Sequence, residues 1–190
     1  MRLVLVGPPG AGKGTQAQFL AAHYSIPHIS TGDIFRANLK AGTELGIQAK
    51  GFMDRGELVP DSVTNEMVRD RLTHVDVANG FILDGFPRNV AQAEVLRAIL
   101  ADKKTPLHAV LEFSLADEEI IARLLHRAEI EKREDDKVDV IKRRLEVYAE
   151  QTAPIISFYR NEGLLISVSA VGNIEDITAH AISALSRVAQ

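Results

Sequence analysis

Short apolar runs alternate with longer helical patterns along the chain. Four runs are clear and a fifth is weaker; they cover residues 3–6, 81–83, 108–113, 164–168 and, more weakly, 26–29. Runs of this length fit buried strands better than helices. Strands separated by helices pair in parallel, and helices cover both faces of such a sheet. The pattern therefore predicts an α/β fold of three layers around a five-stranded parallel sheet.

The helical patterns are clearest in the second half of the chain. Apolar side chains recur at three- and four-residue spacings from residue 138 to residue 148, which is typical of one helix face. Asp135 and Asp136 precede this pattern as candidate N-caps, and Pro154 should kink or break the helix. Further helical patterns cover residues 15–24, 89–100 and 174–188.

Two segments do not follow this alternation. Residues 30–72 have helical character but contain no good strand, which suggests a helical insertion beyond the core. Residues 126–136, HRAEIEKREDD, form a charged run whose simplest interpretation is a solvated surface turn.

Composition limits the classes of protein that remain. The 190 residues, 46% of them hydrophobic, suffice for one well-buried core. The formal net charge of -4 argues against a nucleic-acid-binding surface, and no apolar run is long enough for a signal peptide or a membrane span. The absence of cysteine excludes disulfides, cysteine-bound zinc and thiol nucleophiles. We expect a soluble, cytoplasmic protein.

A glycine-rich segment, GPPGAGKGT, follows the first apolar run and precedes a helical pattern. Its spacing from Gly7 to Gly12 and Lys13 matches a phosphate-binding P-loop. Backbone N–H groups, the helix N-terminus and the lysine would hold the phosphates of a nucleoside triphosphate. Gly14 stands where the strict motif has serine or threonine, and Thr15 comes one place later. Direct binding of Mg²⁺ by a hydroxyl group is therefore in doubt.

An acidic partner for this loop should lie at the end of a neighbouring strand. Asp84 follows the apolar run 81–83 in GFILDGFPR. It is placed to hold Mg²⁺ directly or through water. Without the P-loop, a turn or cap residue would be the better interpretation of this aspartate.

Several motifs together resemble those of the adenylate kinases. GPPGAGKGT, STGDIFR, GELVPD, LDGFPRNVAQA, RLLHR followed by KRED, and KRRLEVY occur in the family's order over residues 1 to about 172. The family also has glycine where this chain has Gly14. The resemblance implies Mg²⁺-dependent phosphoryl transfer from ATP to AMP by a monomeric kinase domain with a P-loop fold.

The same resemblance divides the chain into parts. It implies a monophosphate-binding insertion at 30–59, a short lid at 126–136, and a core formed by 1–29, 60–125 and 137–190. Long-lid relatives insert a small sheet that sometimes binds zinc through cysteines. This chain has no cysteine and no room for that sheet, so we expect no zinc.

The family's site residues carry over onto matching positions of this chain. The resemblance implies that the ATP phosphates are held by Gly10, Ala11, Gly12, Lys13, Gly14 and Thr15, with Arg123 and Arg127 approaching from the lid and Gly172 near the adenine. It implies that AMP is bound by Thr31, Arg36, Glu57, Leu58, Val59, Gly85, Phe86, Pro87, Arg88 and Gln92. Arg133 and Arg144 would bridge toward AMP and the transferred group, so that catalysis falls to Lys13, Arg88, Arg123, Arg133 and Arg144.

Base choice rests on two positions. Pyrimidine-specific relatives, the UMP/CMP kinases, typically have alanine where this chain has Thr31 and asparagine where it has Gln92. A glutamine amide can pair with an adenine edge by donating and accepting together. AMP is therefore favoured as the acceptor, and a UMP/CMP kinase is the alternative.

Two other classes of protein fit the sequence less well. A nucleotide-dependent switch of the guanine type would need a base motif similar to Asn-Lys-x-Asp, which the sequence lacks, and its water acceptor would leave Thr31, Arg36, Arg88 and Gln92 unexplained. A binding module without catalysis would not need the full set of charged groups.

Overall fold

The computed structural model describes residues 1–131 and 137–188, apart from the side chains of residues 117 and 131. It contains a parallel sheet of five strands in the order β2-β3-β1-β4-β5. The strands are β1 (Arg2–Val6), β2 (His28–Ser30), β3 (Phe81–Asp84), β4 (Ala109–Ser114) and β5 (Leu165–Ser169). Each begins and ends within two residues of a predicted run, so the predicted α/β class and parallel sheet are confirmed.

The described helices occupy both faces of this sheet and the insertion. They are α1 (Lys13–Tyr24), α2 (Thr31–Ala41), α3 (Glu44–Asp54), α4 (Asp61–Arg71), α5 (Val90–Asp102), α6 (Asp117–Glu131), α7 (Val138–Val147), α8 (Pro154–Asn161) and α9 (Ile174–Leu185). None of them combines the length and the apolar character needed to cross a membrane.

Alternation along the central strand divides the core into two halves. Leu3 and Leu5 of β1 belong to a buried cluster with residues of α1 and α9. Val4 and Val6 belong to a second cluster with residues of α4, α5 and α8. Successive side chains of a strand point to opposite faces of the sheet. The sheet is therefore sandwiched between two helical layers, as predicted.

Residues 31–72 contain the helices α2, α3 and α4 and no strand, which confirms the helical character predicted for residues 30–72 except at Ser30, the last residue of β2. A small core of its own joins Phe35, Ala49 and Val59 and extends to Val63 and Met67 of α4. The helices α2 and α3 are thereby packed onto α4, the helix that returns the chain to the sheet.

The charged run beginning at residue 126 differs from the prediction. Residues 126–131 continue α6 as a helix, so the expected surface turn is wrong for this part; residues 132–136 lie outside the described residues. Arginine, glutamate and alanine are strong helix formers, and Ile120 and Leu124 anchor the preceding turns against Ile141 of α7.

The start of α7 also needs a correction. The N-cap position is Lys137, two residues before Asp139, and the expected caps Asp135 and Asp136 lie outside the described residues. The predicted break is confirmed, because a π-helical turn at Tyr148–Thr152 ends this segment and α8 begins at Pro154.

The register of the sheet determines where the functional site lies. Leu5 of β1 pairs with Asp84 of β3, and Ser30 of β2 pairs with the same residue. The carboxyl ends of these three parallel strands meet at one edge of the sheet. That edge brings together the glycine-rich loop, Asp84 and the start of the insertion, as ligand sites of open α/β sheets require.

Candidate active site

The glycine-rich loop connects β1 directly to α1. Gly12 is the N-cap of α1 with a left-handed φ of 80°, a conformation that glycine adopts without a steric cost. The first intrahelical hydrogen bond runs from Gln16 N to Gly12 O at 3.0 Å. The N–H groups of Lys13, Gly14 and Thr15 therefore have no carbonyl partner within the helix. Together with the helix dipole, they form a site for an anion.

Lys13 lies against this loop and is largely buried. Its Nζ donates hydrogen bonds of 2.8 Å to the carbonyl oxygens of Gly7 and Pro8. Burial lowers the pKa of Lys13 to about 8; Asp84 opposes this shift, whereas Arg88 and other nearby arginines add to it. The shift is thus mainly an effect of desolvation, to which the positive charge of the nearby arginines adds.

Asp84 lies at the end of β3, close to the loop. Burial alone would raise the pKa of Asp84, but His28, Lys13 and Arg88 outweigh it and hold the pKa below its usual value. His28 Nε2 is 3.4 Å from Asp84 Oδ2, and a Cβ atom added at Gly14 would be 3.7 Å from the same oxygen. The position of the missing P-loop hydroxyl thus faces an ionised carboxylate.

Asp84 is not part of a preformed metal cage. Among the described residues, no group of three or more histidine and acidic side chains could hold a metal ion. A single carboxylate beside a phosphate-binding loop nevertheless suits Mg²⁺, which commonly takes one or two carboxylates, substrate phosphates and water as ligands. The residues present fit the predicted ion.

One cleft brings most of the predicted arginines together with the loop. It is lined by Gly10, Gly12, Lys13, Gly14, Thr15, Asp84, Arg36, Arg88, Arg123, Arg127 and Arg144. These arginines come from α2, the loop after β3, α6 and α7. In a chain of net charge -4, five arginines and a lysine around one cleft indicate a polyanionic ligand. Arg133 lies outside the described residues.

Two of these arginines are held in place by acidic neighbours. Arg123 Nη2 donates to Glu119 Oε1 at 2.6 Å and to Ala170 O at 2.9 Å. Arg36 Nη2 lies 2.5 Å from Asp33 Oδ1. Both pairs are partly exposed to solvent, so each contributes little to stability and can be exchanged for a stronger anion.

A second cleft adjoins the first and shares three of its arginines. Its lining includes the predicted residues Thr31, Arg36, Glu57, Leu58, Val59, Gly85, Arg88, Gln92 and Arg144. Thr31 Oγ1 and Arg88 Nε both donate to the carbonyl oxygen of Gly85 at 2.8 Å. Gly85 has a φ of 79°, and a Cβ atom there would lie 2.7 Å from Thr31 Oγ1. This junction therefore requires glycine.

Four predicted residues take other positions. Phe86 and Ala11 are at most 1% exposed and belong to the hydrophobic core, which leaves only their backbone for a ligand. Pro87 lines a neighbouring pocket together with Lys13 and Arg88. Gly172 lies exposed between β5 and α9, two residues beyond the Ala170 carbonyl that Arg123 contacts.

Sequence reasoning missed three side chains of this region. His28 is next to Asp84, but a single histidine in a weak apolar run carried no signal. Asp61 and Asn89 hydrogen bond to Gln92. Both belong to motifs that had been recognised, GELVPD and LDGFPRNVAQA, so their place in those motifs was the available signal.

Comparison with known proteins identifies the family. The model of the family described as adenylate kinase matches residues 5–164. A protein of Thermobifida fusca named adenylate kinase is 60% identical over 185 residues, which cover 97% of this chain and 98% of that protein. Proteins of the same name are 52% identical in Kocuria rhizophila, with 98% and 99% covered, and 47% identical in Streptomyces griseus, with 97% of each chain covered. The family predicted from the motifs is thereby confirmed: the chain belongs to the adenylate kinases.

Proposed function

We propose that this protein transfers the γ-phosphoryl group of ATP to AMP, reversibly, and so forms two molecules of ADP. The observation that supports this most strongly is the pair of adjoining clefts, which share Arg36, Arg88 and Arg144. One cleft contains the phosphate-binding loop and the other contains the predicted monophosphate site. Groups shared between them would contact the phosphoryl group as it passes from donor to acceptor.

The reaction requires correctly positioned substrates and positive charge rather than a general base. The acceptor oxygen of AMP is largely ionised at neutral pH, because the second pKa of a phosphate monoester is about 6. It attacks the γ-phosphorus of ATP, the bond from that phosphorus to the β–γ bridging oxygen breaks, and ADP leaves. Negative charge on the transferred group is the main obstacle, and fixed cationic donors lower it.

On the donor side, residues 10–15 would hold the ATP phosphates through backbone N–H groups and the Lys13 ammonium. Arg123 and Arg127 of α6 line the same cleft and would approach the phosphate chain from the other side. Placement of the ATP adenine near Gly172 stays a prediction from the family resemblance, because the structure shows only an exposed loop there.

On the acceptor side, the cleft offers a cationic end and a less polar end. Arg36, Arg88 and Arg144 would bind the AMP phosphate, while Thr31, Val59 and Gln92 would surround the base. Gln92 is only 1% exposed, so bulk water does not compete with a base for hydrogen bonds to its amide. We assign the bridging role to Arg88 and Arg144; the same role for Arg133 stays a prediction.

Mg²⁺ would be held by Asp84, through water, together with the bound phosphates. When bound, the ion neutralises phosphate charge and orients the phosphate chain. Asp84 is ionised throughout the neutral range, because its pKa is held below the usual value.

Every residue named in this proposal belongs to one chain. That the enzyme is a monomer and acts in the cytoplasm stays a prediction from the family.

The nucleotide preference tests the proposal directly. With ATP and Mg²⁺, we expect kcat/KM for AMP to exceed that for CMP or UMP at least about tenfold, because one buried amide reads the base. A coupled assay of ADP formation measures all three acceptors under the same conditions. A preference for CMP or UMP would instead support the UMP/CMP kinase alternative.

Arg88→Lys tests the bridging role. The substitution keeps a positive charge but removes the planar fork that lines both clefts, so we expect kcat to fall by about 100-fold. Arg97→Lys is the matched control, since Arg97 is an exposed arginine paired with Glu162, and it should remain within about twofold of wild type. Equal activity of the two variants would contradict the role of Arg88.

The lowered pKa of Lys13 predicts an alkaline limit to activity. Lys13 must carry its proton to hold phosphates, so kcat/KM for ATP should fall as the pH rises through about 8. Lys13→Arg keeps the charge at every accessible pH. Its kcat/KM for ATP should therefore not fall on this alkaline limb of the pH profile, even though its activity at pH 7 is reduced. A pH profile of both proteins checks this, and an unchanged limb in Lys13→Arg would assign the titration to another group.

A further inference from the structure

The side-chain amide of Gln92 is hydrogen bonded to the protein at both of its ends. Gln92 Nε2 donates to Asp61 Oδ1 at 2.7 Å, and Gln92 Oε1 accepts from Arg88 N at 2.7 Å. We propose that Asp61 is a positioning residue that sets which purine base the acceptor cleft accepts, by fixing the orientation of this amide. The inference rests on the proposed placement of AMP against Gln92.

The orientation of the amide follows from the chemistry of its two partners. A carboxylate can only accept hydrogen bonds, so the group of Gln92 that faces Asp61 must be the NH₂ group. A backbone N–H can only donate, so the group that faces Arg88 N must be the carbonyl oxygen. A flipped amide would set two acceptors against each other at Asp61 and two donors against each other at Arg88. Because Gln92 is 1% exposed, water is poorly placed to relieve either clash.

Asn89 holds the Asp61 carboxylate in position. Asn89 Nδ2 lies 3.0 Å and 3.1 Å from the two oxygens of Asp61, and Asn89 Oδ1 accepts from Gln92 N at 2.8 Å as the N-cap of α5. The same argument fixes the Asn89 amide, since one end faces an acceptor and the other a donor. Asp61 is the first residue of α4. The network thus joins the beginning of α4 to the beginning of α5.

This arrangement leaves a defined pattern for a ligand. A glutamine amide has two N–H groups and two lone pairs on its oxygen. The two hydrogen bonds described use one of each, so one acceptor position on Oε1 and one donor position on Nε2 remain. Adenine carries an amino donor at position 6 next to ring acceptors, which complements this pair. Hypoxanthine carries an acceptor oxygen at position 6 and therefore presents the opposite pattern to Oε1.

Asp61 therefore rejects 6-oxo purines through Gln92. To bind inosine monophosphate as it binds AMP, Gln92 would have to flip, and the flip brings its oxygen against the Asp61 carboxylate. Asparagine at position 61 has both a donor and an acceptor, so it can face either end of the amide. Only the contact with Arg88 N would then oppose the flip. Selectivity against 6-oxo purines thus comes from repulsion between Gln92 and Asp61, a residue that does not itself touch the base.

Asp61→Asn tests the inference, with inosine monophosphate as the probe. We expect the ratio of kcat/KM for inosine monophosphate to that for AMP to rise about tenfold, within the range for a bidentate amide–base pair. KM for AMP should rise, while KM for ATP stays unchanged and kcat at saturating AMP stays within about threefold, because Asp61 contacts no phosphate site. Asp61→Glu keeps an acceptor-only group and should restore the preference for AMP.

Two further variants separate the possible outcomes. Asp70→Asn changes an exposed aspartate of the same helix and should behave as wild type. In a Gln92→Met background, Asp61→Asn should change the ratio no further, because the group through which it acts is gone. Thermal unfolding of each variant separates the change in selectivity from loss of α4. If Asp61→Asn does not fold, Asn89→Ser, which retains an N-cap but releases the carboxylate, makes the same prediction.

The results also distinguish this inference from the proposed function. If Gln92→Met abolishes the preference for AMP over inosine monophosphate while Asp61→Asn leaves that preference at the wild-type value, the proposed AMP site is supported and the proposed role of Asp61 is wrong. If Gln92→Met leaves the preference unchanged as well, the placement of AMP is wrong and the role of Asp61 falls with it.

Discussion

Concentrated positive charge in one place is the constraint on which the site depends. A protein of net charge -4 directs five arginines and Lys13 toward adjoining clefts, where they repel one another when no ligand is bound. Burial is the main cause of the lowered pKa of Lys13, and repulsion by the arginines adds to it. Acidic partners such as Asp33 and Glu119 offset part of this repulsion. Two phosphorylated substrates would relieve the rest, so the same charges that disfavour the empty cleft favour the complex with both nucleotides.

The fold supplies this concentration of charge through the edge of a parallel sheet. All strands point the same way, so the loops after β1 and β3 emerge side by side, with Asp84 next to the glycine-rich loop. The arginines then arrive from helices that are far apart in the chain. Arg36 comes from α2, Arg123 and Arg127 from α6, and Arg144 from α7. Each helix needs only to be packed correctly against the sheet or its neighbour for its arginine to face the cleft.

The predictions from sequence succeeded where the signal was local or contained in a motif. Apolar runs located the five strands, and the motifs located Lys13, Asp84 and the arginines of both clefts. They failed where residues outside the segment decide the outcome. The charged run alone predicts a turn at residues 126–131, because the residues that hold α6 in place lie outside it. These residues are Ile120, Leu124 and Ile141. The motif also gave no sign that the side chain of Phe86 fills the core, which leaves only its backbone for a ligand. The links of Gln92 to Asp61 and of Asp84 to His28 join segments whose spatial proximity no periodicity reveals.

The central claim is that two adjoining clefts hold donor and acceptor with Arg88 and Arg144 between them. A crystal structure with two adenosines joined by five phosphates would test it most directly, because that molecule spans both substrates. If both nucleotides bind as proposed, both arginines contact the central phosphates, Lys13 contacts the donor half, and one adenine lies against Thr31 and Gln92. Binding of the second adenosine away from Thr31 and Gln92, or central phosphates out of reach of Arg88 and Arg144, would contradict it.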